Sequence, residues 1–243
     1  MRIAVVADIH ANFTALEAVL RHAEAGGPVD AIWSLGDLVG YGPDPGACIA
    51  LLRSYRHVAV AGNHDRAAAG HLGVEEFNPY AALAVIWTSR QLKPDERDFL
   101  SFLPLPAVEG DFTLVHGSLR DPVWEYVHSA EVAAAHLERQ TTPYGFVGHT
   151  HVPLVFSASG SIAQGYPQTD GSVVALDATH FVANPGSVGQ PRDGDPRSAY
   201  ALLDTGAGAI TFHRVEYDIA RTQARMRDAE LPGYLIERLA RGR

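Results

Sequence analysis

Ile3-Ala4-Val5-Val6-Ala7-Asp8-Ile9-His10 is an apolar run that ends in a carboxylate and an imidazole two places apart. A short unbroken apolar stretch of this kind reads as a strand buried on both faces. The polar pair marks the point where the chain leaves the core. The pattern recurs four times. Ala31-Ile32-Trp33-Ser34-Leu35 runs into Gly36-Asp37, and His57-Val58-Ala59-Val60-Ala61 runs into Gly62-Asn63-His64-Asp65. Phe112-Thr113-Leu114-Val115 runs into His116-Gly117, and Gly145-Phe146-Val147 into Gly148-His149-Thr150-His151. Open α/β sheets bind ligands at the carboxyl ends of their strands, so five groups of polar side chains are expected to face one pocket.

Together these segments offer imidazoles, carboxylates and an amide oxygen but no thiolate. Such donors suit Mn²⁺, Fe, Co, Ni or Zn²⁺ rather than a Cys-rich structural zinc. Asp8 and His10, like His149 and His151, are two residues apart. On an extended strand end, side chains at that spacing share a face and aim at one centre. Gly36, Gly62 and Gly148 stand just before Asp37, Asn63 and His149, where the chain must turn sharply or pass close to an ion.

Outward from these segments, strands alternate with helical patterns as far as Val147, a parallel βαβ beginning. Thr14 to Ala25 has apolar residues at helical spacing and stops at Gly26-Gly27-Pro28, and Pro45 to Leu52 forms a second crossover. Residues from Asn78 to Leu103 read as helical, with a helix start at Pro94, and belong to an expected helical insertion at about 67–110 beside the site. Ser129 to Gln140 is a further amphipathic helix. From Leu154 to Tyr217 short strands with Gly, Asp and Pro turns predict a second, largely antiparallel sheet, followed by a basic helical tail from Ile219. The elements compose a two-sheet sandwich flanked by helices, expected as one domain over residues 1–243, although pattern alone supports only the class α/β.

Composition sets bounds on function. Of 243 residues, 47% are hydrophobic, enough for a sizeable core, and the formal charge of −9 disfavours nonspecific binding to long nucleic acid. Cys48 is the one cysteine, so an intrachain disulfide is excluded and a reducing cytoplasm is the expected setting. Only five apolar residues stand between Arg2 and Asp8, too few for a signal peptide, and no run approaches the ~20 apolar residues of a membrane span.

The five blocks, in order, resemble the calcineurin-like metallophosphoesterase superfamily, whose pattern is Asp-x-His, Gly-Asp, Gly-Asn-His-Asp/Glu, a lone His and Gly-His-x-His. The resemblance implies a four-layer αββα sandwich with two mixed β-sheets. It also implies a dinuclear centre in which Asp8, His10 and His151 hold one divalent ion, Asn63, His116 and His149 hold the other, and Asp37 bridges them. By the same resemblance His64 is the non-ligand catalytic histidine, and Asp65 is expected to accept its ring N–H and orient it. A bridging carboxylate keeps two ions ~3.5–4 Å apart, where a shared hydroxide attacks phosphorus. Mn²⁺ is the first expectation for the metal.

Departures from other branches narrow the resemblance. Gly40 stands where purple acid phosphatases carry a tyrosine ligand, and Leu38-Val39-Gly40-Tyr41-Gly42 lacks the arginine of protein serine/threonine phosphatases and dinucleotide tetraphosphatases. The stretch from Asn184 through Pro185-Gly186-Ser187 to Gly194 is similar to the small bacterial phosphodiesterase branch. The expected activity is therefore hydrolysis of small phosphodiesters, possible cyclic nucleotides included. Phosphomonoesterase action, dinucleoside-polyphosphate hydrolysis and a metal-loaded non-catalytic scaffold stand as alternatives. Arg120 and Arg192 are candidate phosphate clamps. Asn12 is a candidate substrate contact or, equally, a helix cap.

Overall fold

In the computed structural model, which describes residues 1–159, 162–177 and 179–243, twelve strands form two six-stranded mixed sheets. The first sheet has the order β3-β2-β1-β11-β12-β9: His57–Ala59, Ala31–Ser34, Arg2–Val6, Ser198–Asp204, Ala209–Val215 and Val173–Ala175. The second has the order β4-β5-β6-β10-β7-β8: Pro106–Glu109, Phe112–Val115, Tyr144–Phe146, Phe181–Pro185, Pro153–Ser159 and Ile162–Pro167.

Strand β1 shows why the sheets stack. Its residues alternate between faces, and both faces are apolar. Ala4 and Val6 pack into a core under helix α1 (Phe13–Ala25) and helix α2 (Pro45–Arg53), while Ile3, Val5 and Ala7 point into a second core between the sheets. There they meet Leu114 and Phe146 from the second sheet. A third core lies between that sheet and helix α6 (Ala130–Leu137), where Val182 and Phe156 pack against Ala133 and Leu137. Each fully buried Val, Leu or Phe contributes about 1.5–3 kcal/mol. The result is the αββα sandwich.

Helix α1 begins at Asn12, whose side-chain oxygen accepts from the Ala15 N–H, and ends at Gly26. Leu16, Val19, Leu20 and Ala23 supply its buried stripe. Helix α3 (Asn63–Ala68) begins on a motif, and helix α4 (Pro79–Gln91) and helix α5 (Pro94–Ser101) follow. The helices stop at Ser101, and Pro106–Glu109 pairs antiparallel with β5 as an edge strand, so the helical stretch is shorter than the expected 67–110. Helix α7 (Ile219–Asp228) and helix α8 (Gly233–Arg238) pack against α4 and Tyr41. Among the described residues no helix is long and apolar enough to cross a membrane.

Two expectations about sheet membership are corrected. Strands after Leu154 do not make a sheet of their own: β7, β8 and β10 join β5 and β6, whereas β9, β11 and β12 extend the sheet begun by β1. Likewise the five motif-bearing strands are not neighbours in one sheet. Three end in the first sheet and two in the second, so the site lies across the top of both. Alternation identifies a strand but not its partner. That choice is made by register, as where β1 pairs with β2 in parallel and with β11 antiparallel, Val5 facing Trp33 and Ala201.

Candidate metal centre

The backbone at the strand ends is strained where the motifs stand. Of eight non-glycine residues with positive φ among those described, seven lie here: Asp8, His10, Ala11, Asp37, Tyr41, His149 and His151. Their φ values of 48° to 67° fall in the left-handed region, which costs a residue with a Cβ about 1–3 kcal/mol and persists only when its surroundings over-determine it. Here they do. The N–H groups of Asp8, His10 and Ala11 donate to the carbonyls of Gly36, Asp37 and Leu38 at 3.1, 2.9 and 3.0 Å. The two crossover loops are thereby zipped together.

This geometry replaces the extended strand ends expected from the i, i+2 spacing. Asp8 and His10 do serve one cluster, joined by His151, but His149 faces a different set. In the first cluster His10 Nε2 lies 3.2 Å from His151 Nε2, and His151 Nε2 lies 3.4 Å from Asp8 Oδ1. In the second, His116 Nε2 lies 3.0 Å from His149 Nδ1 and 3.2 Å from Asn63 Oδ1. Asp37 Oδ2 stands between them, 3.7 Å from His10 Nε2 and 3.5 Å from His116 Nε2. Its other oxygen accepts from the His64 N–H at 2.9 Å. Asp37 can sit so close because Gly62 has no side chain, since a Cβ there would fall 2.0 Å from Asp37 Oδ1.

Whether this set fits metal ions is decided by where the ring protons go. The outer nitrogen of each inward histidine faces a main-chain carbonyl: His10 toward Val39 at 3.2 Å, His151 toward Gln190 at 2.6 Å, His116 toward Leu35 at 2.8 Å and His149 toward Trp124 at 3.2 Å. A carbonyl accepts only, so each outer nitrogen carries the proton and each inner one presents a lone pair. Lone pairs then face each other at 3.0–3.2 Å beside carboxylate oxygens. That arrangement is repulsive on its own, and divalent cations would relieve it. The residues fit a pair of ions, with Asp8, His10 and His151 on one side, Asn63, His116 and His149 on the other, and Asp37 shared.

Burial sets the charges. It pushes the Asp8 carboxyl up to about 7 against the pull of His116, and it holds Asp37 well above the usual carboxylate range with a push from Asp65. Burial likewise holds His10, His64, His149 and His151 well below the ordinary imidazole value, with Arg192 adding to each. Neutral imidazoles are the form that ligates metal.

Several expected roles change. Asp65 does not orient the His64 ring: its carboxylate accepts from the main-chain N–H groups of Gly62 and Val39 at 3.0 and 3.1 Å, capping α3. Neighbouring residues on a helix point about 100° apart, so Asp65 turns inward while His64 faces the pocket. The buried His64 Nδ1 has no hydrogen-bond partner and abuts Gly40, where a Cβ would come within 2.3 Å of it. Asn12 is a cap. Its Oδ1 also accepts from Thr222 Oγ1, and its Nδ2 donates to the Gly189 carbonyl and Tyr217 Oη, which leaves it no substrate role. Arg120 pairs with Glu125 and is not among the residues that line the cavity over the site. Arg192 stays: it lines the cavity over the site and has no carboxylate partner among the described residues.

That cavity, of about 90 Å³, is also walled by Tyr41, Phe77, Trp124 and Tyr126, with Glu76 among its lining residues. Tyr126 lies flat on the His149 ring at 3.9 Å between centroids. Phe77, Trp124 and Tyr126 were not singled out as pocket residues by the motifs, which carry no signal for a wall built from loops. The carbonyls of Leu35, Val39, Trp124 and Gln190 have no sequence signature at all. The stretch after Asn184 now has a physical role. Asn184 Nδ2 donates to the Gly148 carbonyl and Ser187 Oγ to the Asp8 carbonyl, bracing two motif loops.

Comparison with known proteins follows this geometry. The calcineurin-like phosphoesterase superfamily domain matches residues 1–208. A crystal structure of a metallophosphoesterase from Sphaerobacter thermophilus superposes with a TM-score of 0.91 at 49% identity, covering 100% of this chain and 99% of that one. An uncharacterized protein of Methanocaldococcus jannaschii is 36% identical over 99% of this chain and 98% of its own length. A symmetrical bis(5′-nucleosyl)-tetraphosphatase of Vibrio campbellii is 29% identical over 50% of this chain and 46% of its own.

Proposed function

The chain belongs to the calcineurin-like phosphoesterase superfamily, and on that premise we propose that it hydrolyses small phosphodiesters, cyclic nucleotides among them, with two divalent ions of which Mn²⁺ is the first choice. The observation that carries the reading is the pair of lone-pair clusters facing one shared oxygen of Asp37. Ions held there supply an acidified water and positive charge for phosphoryl oxygens. Everything else falls to the chain. Arg192 presents its guanidinium to a phosphoryl oxygen. His64, next to Asn63 and open to the cavity, gives or takes a proton at the ester oxygen. Phe77, Trp124 and Tyr126 accept the organic part of the ester and exclude water. A cavity of about 90 Å³ favours small esters over phosphoproteins. A small phosphate ester is thus the proposed partner, and a cytoplasmic setting belongs to the proposal on the strength of the buried, unpaired Cys48.

The test combines elemental analysis with a panel at equal metal loading: an aryl diester, a cyclic nucleotide, the matching monoester, a dinucleoside tetraphosphate and a phosphopeptide. Two ions per chain and the highest kcat/KM on a diester are expected. A win by any other class of more than about tenfold, ~1.4 kcal/mol of transition-state preference, overturns the substrate assignment. Loaded protein that turns over nothing would be a scaffold rather than an enzyme.

A further inference from the structure

The cavity over the metal centre has two unlike ends. At one, Arg192 Nη2 reaches Gln190 Oε1 at 3.2 Å and Tyr41 Oη at 3.5 Å, and the Gln190 carbonyl accepts from His151. The guanidinium therefore stands with the cluster of Asp8, His10 and His151. At the other end the Trp124 carbonyl accepts from His149 and the Tyr126 ring lies on it, which puts both on the side of Asn63, His116 and His149. Phe77 joins them there, edge-on to Trp124 at 5.1 Å between centroids and 71° between planes, and it meets the His64 ring at 5.0 Å. Phe77 and Trp124 thus make two walls of a corner, with Tyr126 as a third ring lining the same cavity.

These rings keep surface uncovered: Phe77 and Trp124 are only half-buried, and Tyr126 is exposed. Glu76, directly before Phe77, is exposed and lines the cavity too. Among the described residues it enters no ion pair, unlike Glu96, Glu109, Glu125 and Glu237. Asn78, the other polar residue at this end, uses its Oδ1 to accept from the N–H groups of Tyr80 and Ala81 and so caps α4. The charge at the aromatic end is therefore negative. Ring faces attract a cation without needing hydrogen bonds, and a carboxylate adds the opposite charge. A nucleobase would stack on the same rings but brings no positive charge for Glu76.

We propose that Phe77, Trp124, Tyr126 and Glu76 form a cation subsite, which takes a quaternary ammonium group of the substrate while Arg192 takes the phosphoryl group. The substrate is then a zwitterionic phosphodiester of a small N-methylated amino alcohol. This assignment rests on the phosphoesterase reading and names the substrate class within it.

Binding distinguishes it from general apolar contact. Mn²⁺-loaded full-length protein is titrated calorimetrically with trimethylammonioethyl phosphonate and with its uncharged isostere, in which a tert-butyl group replaces the trimethylammonium. The C–P bond of each resists hydrolysis, and metal content is checked after each run. The cation should bind about tenfold more tightly than the isostere, and Glu76→Gln and Trp124→Leu should each cut that preference to about threefold or less. Equal binding of the two ligands by the wild-type protein, or a preference that survives both substitutions, overturns the subsite. So does a nucleoside phosphonate that binds more than about tenfold more tightly than the cation, since the rings would then be a platform for a base. Failure of the wild-type protein to hydrolyse any ester would instead overturn the phosphoesterase reading, so the two are distinguished.

Discussion

The two halves of the centre are built to different standards. Asp8, His10 and His151 are each within 1% of complete burial, and both histidines rest on carbonyls of the buried residues Val39 and Gln190. In the other half His149 presents Nδ1 inward instead of Nε2, and its outer nitrogen rests on Trp124 in the loop between β5 and α6. Tyr126 of that loop covers its ring while remaining 42% exposed. Packing fixes the first half. In the second, His116 is packed as firmly but His149 depends on a surface loop, and loops are where local opening is cheapest. The first half is therefore expected to hold its ion more tightly, and the second to exchange.

Asp37→Asn should break the comparison most severely, because it removes the one oxygen both halves share. Hydrolysis should fall to background and metal content below two ions per chain by elemental analysis; two retained ions would show that each half stands alone. Next, His64→Ala should lower kcat by about 10²–10⁴-fold with metal content intact. His64 also lies within ligand range of His10 and Asp37, so loss of an ion in this variant would make it a ligand and end the two-cluster description.

Tyr126→Ala sharpens the contrast. Freed of its cover, His149 should lose orientation, and the more weakly held ion should bind about 10-fold less tightly, the low end for disturbing a ligand's supports. Competition with a chelator should show one step shifted and the other unchanged; a shift in both would erase the distinction.

The smallest effect is on stability against pH. Asp8 titrates near 7 in the metal-free fold against 3.8 when exposed, so its contribution is full below about pH 4 and is lost as pH rises toward 7. The four histidines held below the ordinary value act in the opposite sense, costing stability as pH falls below about 6.5. In the fold metal binding displaces protons from the buried carboxyls of Asp8 and Asp37, the histidines being already neutral. The gap in Tm between loaded and chelated protein should thus widen from about pH 5 to 7, and a gap that does not change with pH would contradict these shifts.

Much of this was legible in the sequence because buried strands announce themselves. The apolar runs before Asp8, Asp37, Asn63, His116 and His149 are strands or lead directly from them, and the capping of α1 by Asn12 follows from residue type. What escaped depends on partners far along the chain. Which sheet β5 or β11 joins is decided by register. Asp65, adjacent to His64, turns away because helical neighbours diverge. Arg120 is paired with Glu125 five places on, while among the described residues Arg192 has no such partner, and residue type alone does not separate them.

The pairing of β1 with β11 also governs when this protein becomes competent during its synthesis. The strand that delivers Asp8 leaves the ribosome long before its antiparallel neighbour at Ser198–Asp204 and the Gln190 carbonyl that sets the His151 ring. At about 5–20 residues per second, some ten to forty seconds separate the first ligand from the last brace. Until then the nascent chain carries its chelating side chains, complete once His151 is made, on a first strand that has β2 on one edge and nothing on the other. The last supports of the ligand set therefore arrive with closure of the first sheet, made by residues nearly two hundred positions downstream of the strand they complete.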